Sequence, residues 1–569
     1  MELLERDSFL TELGRLLRDA TNGNGRLLFL GGEAGIGKTT LVAQFGGTAR
    51  RTARVLVGAC DPLSTPRPLG PLADIVGVLR GEVERLLLAS APRDQVFRAF
   101  LAVLADGSGP TLVVFEDVHW ADEATLDLLR FLGRRIGSTR GFLLATYRDD
   151  EVGPTHPLRI ALGDLATTAS VRRLTLPPLS ERAVGALAEG SDVDPAELYR
   201  LTAGNPFFVT EVLAGGAHGI PPTVRDAVLA RVARLSAAGR AALDAAAVIG
   251  ARVEPWLLAE VAGPEAAAAT NYVESGLLRA EGRVLAFRHE LAREAVRGAI
   301  PPPRLLALHR AVLAALLREH GGAVAPARLA HHAEAAHDGP ATLRHAEAAA
   351  QEAIHLSAHR EAAAQYARAL RAGGVLEPMR RAALLGAYSH ECHNTDDLAE
   401  AVRACREAIA IWRELGDRLN EGEQLGRLAT LLVVSGRNAE AEEAIDAALT
   451  LLEALPASPQ LALAYRARAH LRMLDRDSAS AIAWGGKALA LAERLGARGT
   501  TIAALNTIGS AMLVAGDLAG RDPLERSAAL ARAADLDDQV ALAFVNLGSA
   551  LGEQYHFELA GHYLDEGIA

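Results

Sequence analysis

The residues of this chain whose types and spacing could do chemistry lie first between positions 32 and 40. Gly32, Glu33, Ala34, Gly35, Ile36, Gly37, Lys38, Thr39 and Thr40 spell G-x-x-x-x-G-K-T-T, a loop that can surround a polyphosphate with backbone N–H donors. Glycines let the backbone approach and take φ > 0, Lys38 can reach the β- and γ-phosphates, and the Thr39 hydroxyl can bind Mg²⁺. Only two lysines occur in 569 residues, Lys38 and Lys487. A compact ammonium, rather than a forked guanidinium, is what fits between phosphates.

A second group follows in TLVVFEDVHWAD (111–122), an apolar run ending in the adjacent carboxylates Glu116 and Asp117. This describes a buried parallel strand with charge at its C-terminal tip, where ligands sit in open α/β sheets. One such carboxylate can hold Mg²⁺ through water while its neighbour orients or deprotonates an attacking water. Asp122 precedes EATLDLLRFLGRR and reads as the N-cap of that helix. A third group is Arg148, at the end of the strand candidate GFLLATYRDDE (141–151). There it can touch a γ-phosphate and report ATP against ADP; a surface arginine paired with Asp149 or Asp150 is the alternative reading.

The elements that must position these groups follow from periodicity. Leu27 to Leu30 read as a short buried strand before the glycine loop, and Leu41 to Phe45 open an amphipathic helix whose N-terminal end favours an anion. Apolar residues at helical spacing from Leu3 to Leu17 predict a preceding helix, residues 53–60 a second strand, and 61–72 a proline-rich loop. Residues 180–215 predict two short amphipathic helices joined by a turn, with Gly204 at C′ and Pro206 fixing φ after it. From Pro221 to about Ile300, three helices and a hairpin around Glu281 and Gly282 predict a winged-helix arrangement. Pro301 to Pro303 make a rigid junction into alanine-rich helices. From about 376, turn signals at Ser435-Gly436-Arg437-Asn438, Leu474-Asp475-Arg476-Asp477, Ala515-Gly516-Asp517 and Gln554-Tyr555-His556 recur about every 40 residues. That predicts a tetratricopeptide-like solenoid with a concave partner surface; an ordinary all-helical domain is the alternative.

Composition sets bounds. A net charge of −11 without basic runs argues against a non-specific nucleic-acid surface. Cys60, Cys392 and Cys405 are too few and too scattered for a disulfide framework or zinc motif. The N-terminus lacks a leader pattern, and no apolar stretch is long enough to span a membrane. A soluble cytoplasmic protein is expected, with no membrane partner. The last residues, GHYLDEGIA, lie inside a helical pattern with no polar capping repeat behind, so a truncated array is expected.

GGEAGIGKTTL, VVFEDVHWAD, ATYRDDE, LTAGNPFFVTEVL and FRHELAREAV, in this order, resemble the STAND class of signal-transduction P-loop ATPases, and more narrowly the large ATP-binding regulators of the LuxR family. The resemblance covers residues 1–310 closely and the remainder in type. It implies an ASCE/AAA-like α/β core at 1–179, a helical lid at 180–219, a winged-helix domain at 220–300, a helical linker at 301–375 and repeats at 376–569. It makes Gly32 to Thr40 the Walker A loop, with Thr39 and Glu116 as Mg²⁺ ligands, Asp117 as catalytic carboxylate and Arg148 as sensor arginine. Glutamate at 116 departs from the usual aspartate. The resemblance also places Arg6 and Pro206 near the adenine, and His289 against the ADP β-phosphate.

The function so implied is a slowly hydrolysing ATP/ADP switch of the LuxR-regulator kind, closed with ADP and open with ATP. It would self-associate with ATP and sense an inducer or protein through its repeats. The family's C-terminal helix-turn-helix has no counterpart in the last hundred residues, so direct DNA binding is not expected of this chain unless a further domain supplies it. A tetratricopeptide-type scaffold with a structural nucleotide is the alternative, and a motor-type AAA ATPase a third reading.

Overall fold

The computed structural model describes all residues except 1–2, 63–64, 80, 90, 107–108, 192, 216–223, 265–276, 282–283, 288–289, 319–323, 373, 375, 535 and 569. The chain forms two compact units, residues 1–374 and 375–569.

Unit 1 opens with α1 (Asp7–Thr21), β1 (Arg26–Gly31), α2 (Lys38–Ala49), β2 (Arg54–Ala59), α3 (Gly70–Leu79), α4 (Glu82–Leu88), α5 (Arg93–Ala105), β3 (Thr111–Glu116), α6 (Glu123–Arg135), β4 (Gly141–Thr146), α7 (Pro157–Asp164) and β5 (Val171–Thr175). The five strands form one parallel sheet in the order β2-β3-β4-β1-β5. Here β4 lies between the strand that carries the glycine loop and the strand that carries the carboxylates, the ASCE/AAA-like order. The side chains of Leu27 to Leu30 are fully buried because both faces of the sheet are covered. The pleat sends Leu28, Leu30, Val114 and Leu144 against Leu13, Leu16, Leu41 and Phe45 of α1 and α2. It sends Phe29, Val113, Phe115 and Leu143 against Ile75, Phe97, Phe100 and Leu129 of α3, α5 and α6. Each such Leu or Phe stabilises the fold by about 1.5–3 kcal/mol.

Two local features depart from the sequence reading. The strand β5 has no apolar run: it is an edge strand, and Arg172 and Arg173 on it are exposed. The loop expected to run to residue 72 becomes helix at Gly70.

Three helices, rather than the two expected, fill the next stretch: α8 (Glu181–Ala188), α9 (Pro195–Thr202) and α10 (Pro206–Gly215). Ser180 and Asp194 cap the first two through their side chains, and Ala203 (φ 49) and Gly204 (φ 73) turn the chain into α10. Then come α11 (Val224–Ala233), α12 (Ala237–Ile249), β6 (Arg252–Val253), α13 (Pro255–Ala262), β7 (Leu278–Glu281), β8 (Val284–Phe287) and α14 (Glu290–Ala299). Strands β7 and β8 pair antiparallel, with Glu281 opposite Val284, and β6 adds to β8. The turn residue Gly282 lies outside the described residues.

Helices α15 (Pro302–Arg318), α16 (Pro326–Ala335), α17 (Gly339–His355) and α18 (His359–Ala372) occupy the segment expected as a linker. They are instead part of the packed interior of unit 1. Leu308, Val312 and Leu329 share a core with Leu243, Leu257 and Val296, and Ala353, Leu356 and Ala362 join the core beneath α6. Their alanine faces allow close approach, and covering such faces is more favourable than hydrating them.

Unit 2 consists of α19 (Pro378–Asn394), α20 (Leu398–Leu415), α21 (Arg418–Val434), α22 (Asn438–Glu453), α23 (Pro459–Leu474), α24 (Ser478–Leu495), α25 (Arg498–Val514), α26 (Arg521–Arg532), α27 (Asp537–Glu553) and α28 (Phe557–Ile568). The turn inside each helix pair has one left-handed residue, at Asp396, Gly436, Arg476, Gly516 and Tyr555, so it recurs every 40, 40, 40 and 39 residues. These are tetratricopeptide-like repeats with a longer period than the usual ~34. Small residues set the helix spacing: a Cβ on Gly422 would stand 2.6 Å from Leu452. Among the described residues no single helix is long and apolar enough to cross a membrane.

Candidate nucleotide site

The glycine loop leaves β1 at the centre of the sheet and ends at Gly37, whose φ of 98° makes it the left-handed N-cap of α2. The N-terminal turn of α2 then points its free amides into the loop, as an anion site requires. Lys38 is 7% exposed, and its ammonium donates to Gly32 O (2.6 Å) and Glu33 O (2.9 Å). Burial pushes its pKa down to about 8, and the charge of Asp117 works against that shift.

The carboxylates sit where β3 ends. Asp117 takes a left-handed conformation (φ 57, ψ 46), uncommon for a residue with a Cβ, and its amide is pinned by Thr146 Oγ1 at 3.0 Å. Burial raises its pKa, while Arg148 and Lys38 oppose the rise. Arg148 is 5% exposed and pairs with Glu151, not with Asp149 or Asp150; its guanidinium also lies 4.8 Å from the Trp120 ring centre. Because β4 stands between β1 and β3, Arg148 emerges between the glycine loop and the carboxylates. Asp122 caps α6 as expected, accepting from Thr125 N, and also holds Leu69 N at 3.1 Å.

One cavity, about 120 Å³, is lined by Gly35, Gly37, Lys38, Thr39, Thr40, Glu116, Asp117 and Arg148. A neighbouring cavity of about 360 Å³ is mostly apolar, with Leu4, Arg6, Ile36, Leu179, Pro206 and Phe207 in its wall. The two share Gly35, Gly37, Thr40 and Arg279. A polar, cation-bearing chamber opening beside an apolar one matches the two ends of a nucleotide. The oxygen donors of Thr39, Glu116 and Asp117 around one chamber fit a hard cation such as Mg²⁺. Arg6 is anchored to Pro177 O at 2.8 Å. His289 lies outside the described residues.

Several residues that the sequence reading did not single out belong to this site. Asn205 Nδ2 donates to Ala34 O (2.9 Å) and Phe207 N donates to Gly35 O (3.2 Å), so the turn before α10 is bonded to the glycine loop itself. Its only sequence signal was the GNPF turn. Arg252, Arg279, Phe287 and Glu290 reach the polar cavity from the antiparallel sheet and α14; Phe287 and Glu290 flank His289 in FRHELAREAV, and nothing local marks Arg252 or Arg279. His119, 4% exposed, stands 3.9 Å from Asp117 Oδ1 and 3.4 Å from Glu151 Oε2. Burial, then the charges of Arg148 and Lys38, push its pKa down to about 2.

Gly35 is the tightest point of this contact. Its φ is 80°, and a Cβ there would lie 2.8 Å from Phe207 Cβ and 2.9 Å from Asn205 Oδ1. Gly35→Ala is expected to destabilise unit 1 by roughly 1–3 kcal/mol. A thermal melt reads this directly, and an unchanged melt would show that the glycine loop and the turn do not need this approach.

The fold and site together define a P-loop ATPase domain of the AAA type. Residues 2–144 match the family described as AAA ATPase domain. An uncharacterized protein of Rhizobium meliloti (strain 1021) is 27% identical over 407 residues, 59% of this chain; the chain spans 39% of that relative's length. Among solved structures, a Signal Transduction ATPase with Numerous Domains (STAND) protein with a tetratricopeptide repeat sensor, from Pyrococcus horikoshii, aligns over 97% of this chain and 82% of its own at 15% identity and TM-score 0.43. Aspartyl phosphate phosphatase F from Bacillus subtilis aligns over 72% of this chain and 89% of its own at 10% identity and TM-score 0.37. Both scores are low, and the fold rests on the chain's own topology.

Proposed function

We propose that this chain is an ATP/ADP-controlled regulatory switch of the STAND kind, close in design to the ATP-binding regulators of the LuxR family, working in the cytoplasm. The observation that carries this reading is that the P-loop core meets two other segments at one place: the antiparallel sheet and α14, which bring Arg252, Arg279 and Glu290 to the polar cavity, and the turn of Asn205 and Phe207, which is bonded to the glycine loop. A ligand that changes by one phosphate then changes contacts to the core and the sheet, and reaches the turn through the glycine loop it is bonded to, which is what a population shift between two arrangements needs. In this reading 180–219 act as lid, 220–300 as a winged-helix relay, and the repeats from 376 bind the inducing partner. Self-association accompanies ATP.

Lys38 and the loop amides hold the phosphates, Thr39 and Glu116 hold Mg²⁺, and Arg6 and Pro206 flank the adenine. Mg²⁺, when bound, neutralises phosphate charge and polarises the γ-phosphoryl group. Asp117 orients and accepts the proton of the attacking water, Arg148 reads the γ-phosphate, and His289 reads the ADP state. Transcriptional output is proposed to come through a helix-turn-helix separate from these residues.

Asp117→Asn tests the switch. Turnover is expected to fall at least about a hundredfold with ATP binding retained, because a positioned base contributes on the order of 10²–10⁴. Light scattering is expected to give a larger particle with ATP than with ADP. Equal turnover in the variant with one size in both nucleotides would favour the scaffold with a structural nucleotide. Constant hexamers in both nucleotides would favour a motor-type ATPase.

A further inference from the structure

Helices α15 and α16 carry a cluster that nucleotide chemistry does not use. His309 on α15 and His331 and His332 on α16 each offer one ring nitrogen, and these three atoms all lie within 4.8 Å of one another. Nδ1 of His309 and Nδ1 of His332 are 3.0 Å apart, and the three ring centres stand 5.1–5.8 Å apart.

From this geometry we infer that the three histidines bind a transition-metal dication, zinc being the best fit. A tetrahedral zinc with Zn–N distances of ~2.0–2.1 Å sets its nitrogen ligands about 3.3 Å apart. The His309–His332 pair is already near that separation, and the third nitrogen lies within 4.8 Å of both. A hydrogen bond between His309 and His332 accounts for two of the rings; it does not account for His331 turning its nitrogen to the same point. The donor set is three imidazoles without carboxylate or thiolate, which selects Zn²⁺, Co²⁺, Ni²⁺ or Cu²⁺ over Mg²⁺ and Ca²⁺. His309 and His332 are 2% and 1% exposed and His331 only partly buried, so a fourth ligand, water, has access from the His331 side.

The surrounding charges allow a dication. Arg293, Arg297, Arg328 and Arg368 face the cluster. Three of them are matched: Arg293 by Glu290 (2.6 Å), Arg328 by Glu254 (2.6 Å) and Arg368 by Glu334 (2.8 Å). Glu290 and Glu294 act on the fourth, Arg297. A bound metal would pin α15 to α16 beside α14, the helix whose Glu290 also lines the nucleotide cavity.

The test uses the full-length chain without a polyhistidine tag, stripped by chelator and dialysed against Zn²⁺ or Co²⁺. One metal per chain is expected by elemental analysis, with the visible bands of tetrahedral Co²⁺ and a Zn²⁺-dependent rise in melting temperature. Lys38→Met, which alters the phosphate site, should leave these unchanged. His331→Gln, chosen because His331 is the least buried of the three, should weaken metal binding at least about tenfold while its helical circular dichroism stays at the parent level. Absence of bound metal in the parent, or equal binding by His331→Gln, would overturn the assignment and leave a His–His hydrogen bond joining two helices.

Discussion

Lys38→Met is expected to weaken ATP and ADP binding by about two orders of magnitude, as read by titration with a fluorescent nucleotide, and to leave the helical circular dichroism almost unchanged. The ammonium now serves two carbonyls of its own loop, Gly32 O and Glu33 O. A polyphosphate in the adjoining cavity would take over those donors, and charge-assisted bonds of this kind contribute about 1.5–3 kcal/mol each. Methionine keeps the stem and drops the charge, so the buried packing around α2 survives. The repeats of unit 2 have cores of their own, such as Leu524, Phe544 and Leu547, and hold their helices regardless. A pH arm makes the result specific. Burial holds the Lys38 pKa at about 8, so the cation is present below that pH and is lost above it. Nucleotide affinity of the parent should therefore fall as pH rises beyond 8, by at most about tenfold per unit, while Lys38→Met shows no such fall. Binding by Lys38→Met within about threefold of the parent would remove Lys38 from the phosphate site.

The second large effect is on stability. Where α18 meets α6, Glu361 is 9% exposed and accepts from Glu123 N (3.0 Å), and its other oxygen has no hydrogen-bond partner among the described residues. Burial, then the neighbouring charge of Asp122, push its pKa up to about 8. Asp122 is also raised by burial, but its oxygens accept from Thr125 N and Leu69 N, so it keeps its charge better and Glu361 is the one that stays protonated. A carboxyl raised in the folded state contributes stability that is fully present below the unfolded value of about 4.5 and is lost as pH rises through about 8. Glu361→Gln keeps the acceptor for Glu123 N and cannot ionise. The variant should lie within about 1 kcal/mol of the parent at pH 5 and exceed it by on the order of 2–4 kcal/mol at pH 9, measured by urea denaturation. Parallel stability profiles for the two proteins would mean that Glu361 ionises freely in the fold.

Much of the site could be read from the chain because its parts are local. The glycine loop, the strand before it and the helix after it are consecutive, and a run such as TLVVFED carries its strand and its carboxylates together. Asp122 was legible as a cap for the same reason, since its helix begins at the next residue. The 40-residue recurrence of turns was legible because each helix pair repeats one local solution. By contrast β5 was missed: an edge strand buries little, so its sequence keeps two exposed arginines and loses the apolar pattern. The segment 301–375 was expected as a linker because alanine-rich helices look alike whether they face solvent or a core, and only packing distinguishes the two.

The sequence by itself determined that this chain carries a P-loop, a strand ending in Glu116 and Asp117, and an array of helix pairs, because backbone propensity and side-chain period act between near neighbours. Tertiary structure alone decided what meets what. It set Asn205 against Ala34 across 171 positions, turned Arg148 to Glu151 and Trp120, and brought Arg252 and Arg279 to the polar cavity beside the glycine loop. It also faced His309 with His332 and buried Glu361 beside Asp122. Such encounters depend on how whole faces pack, and a face is assembled from residues that the chain order keeps apart.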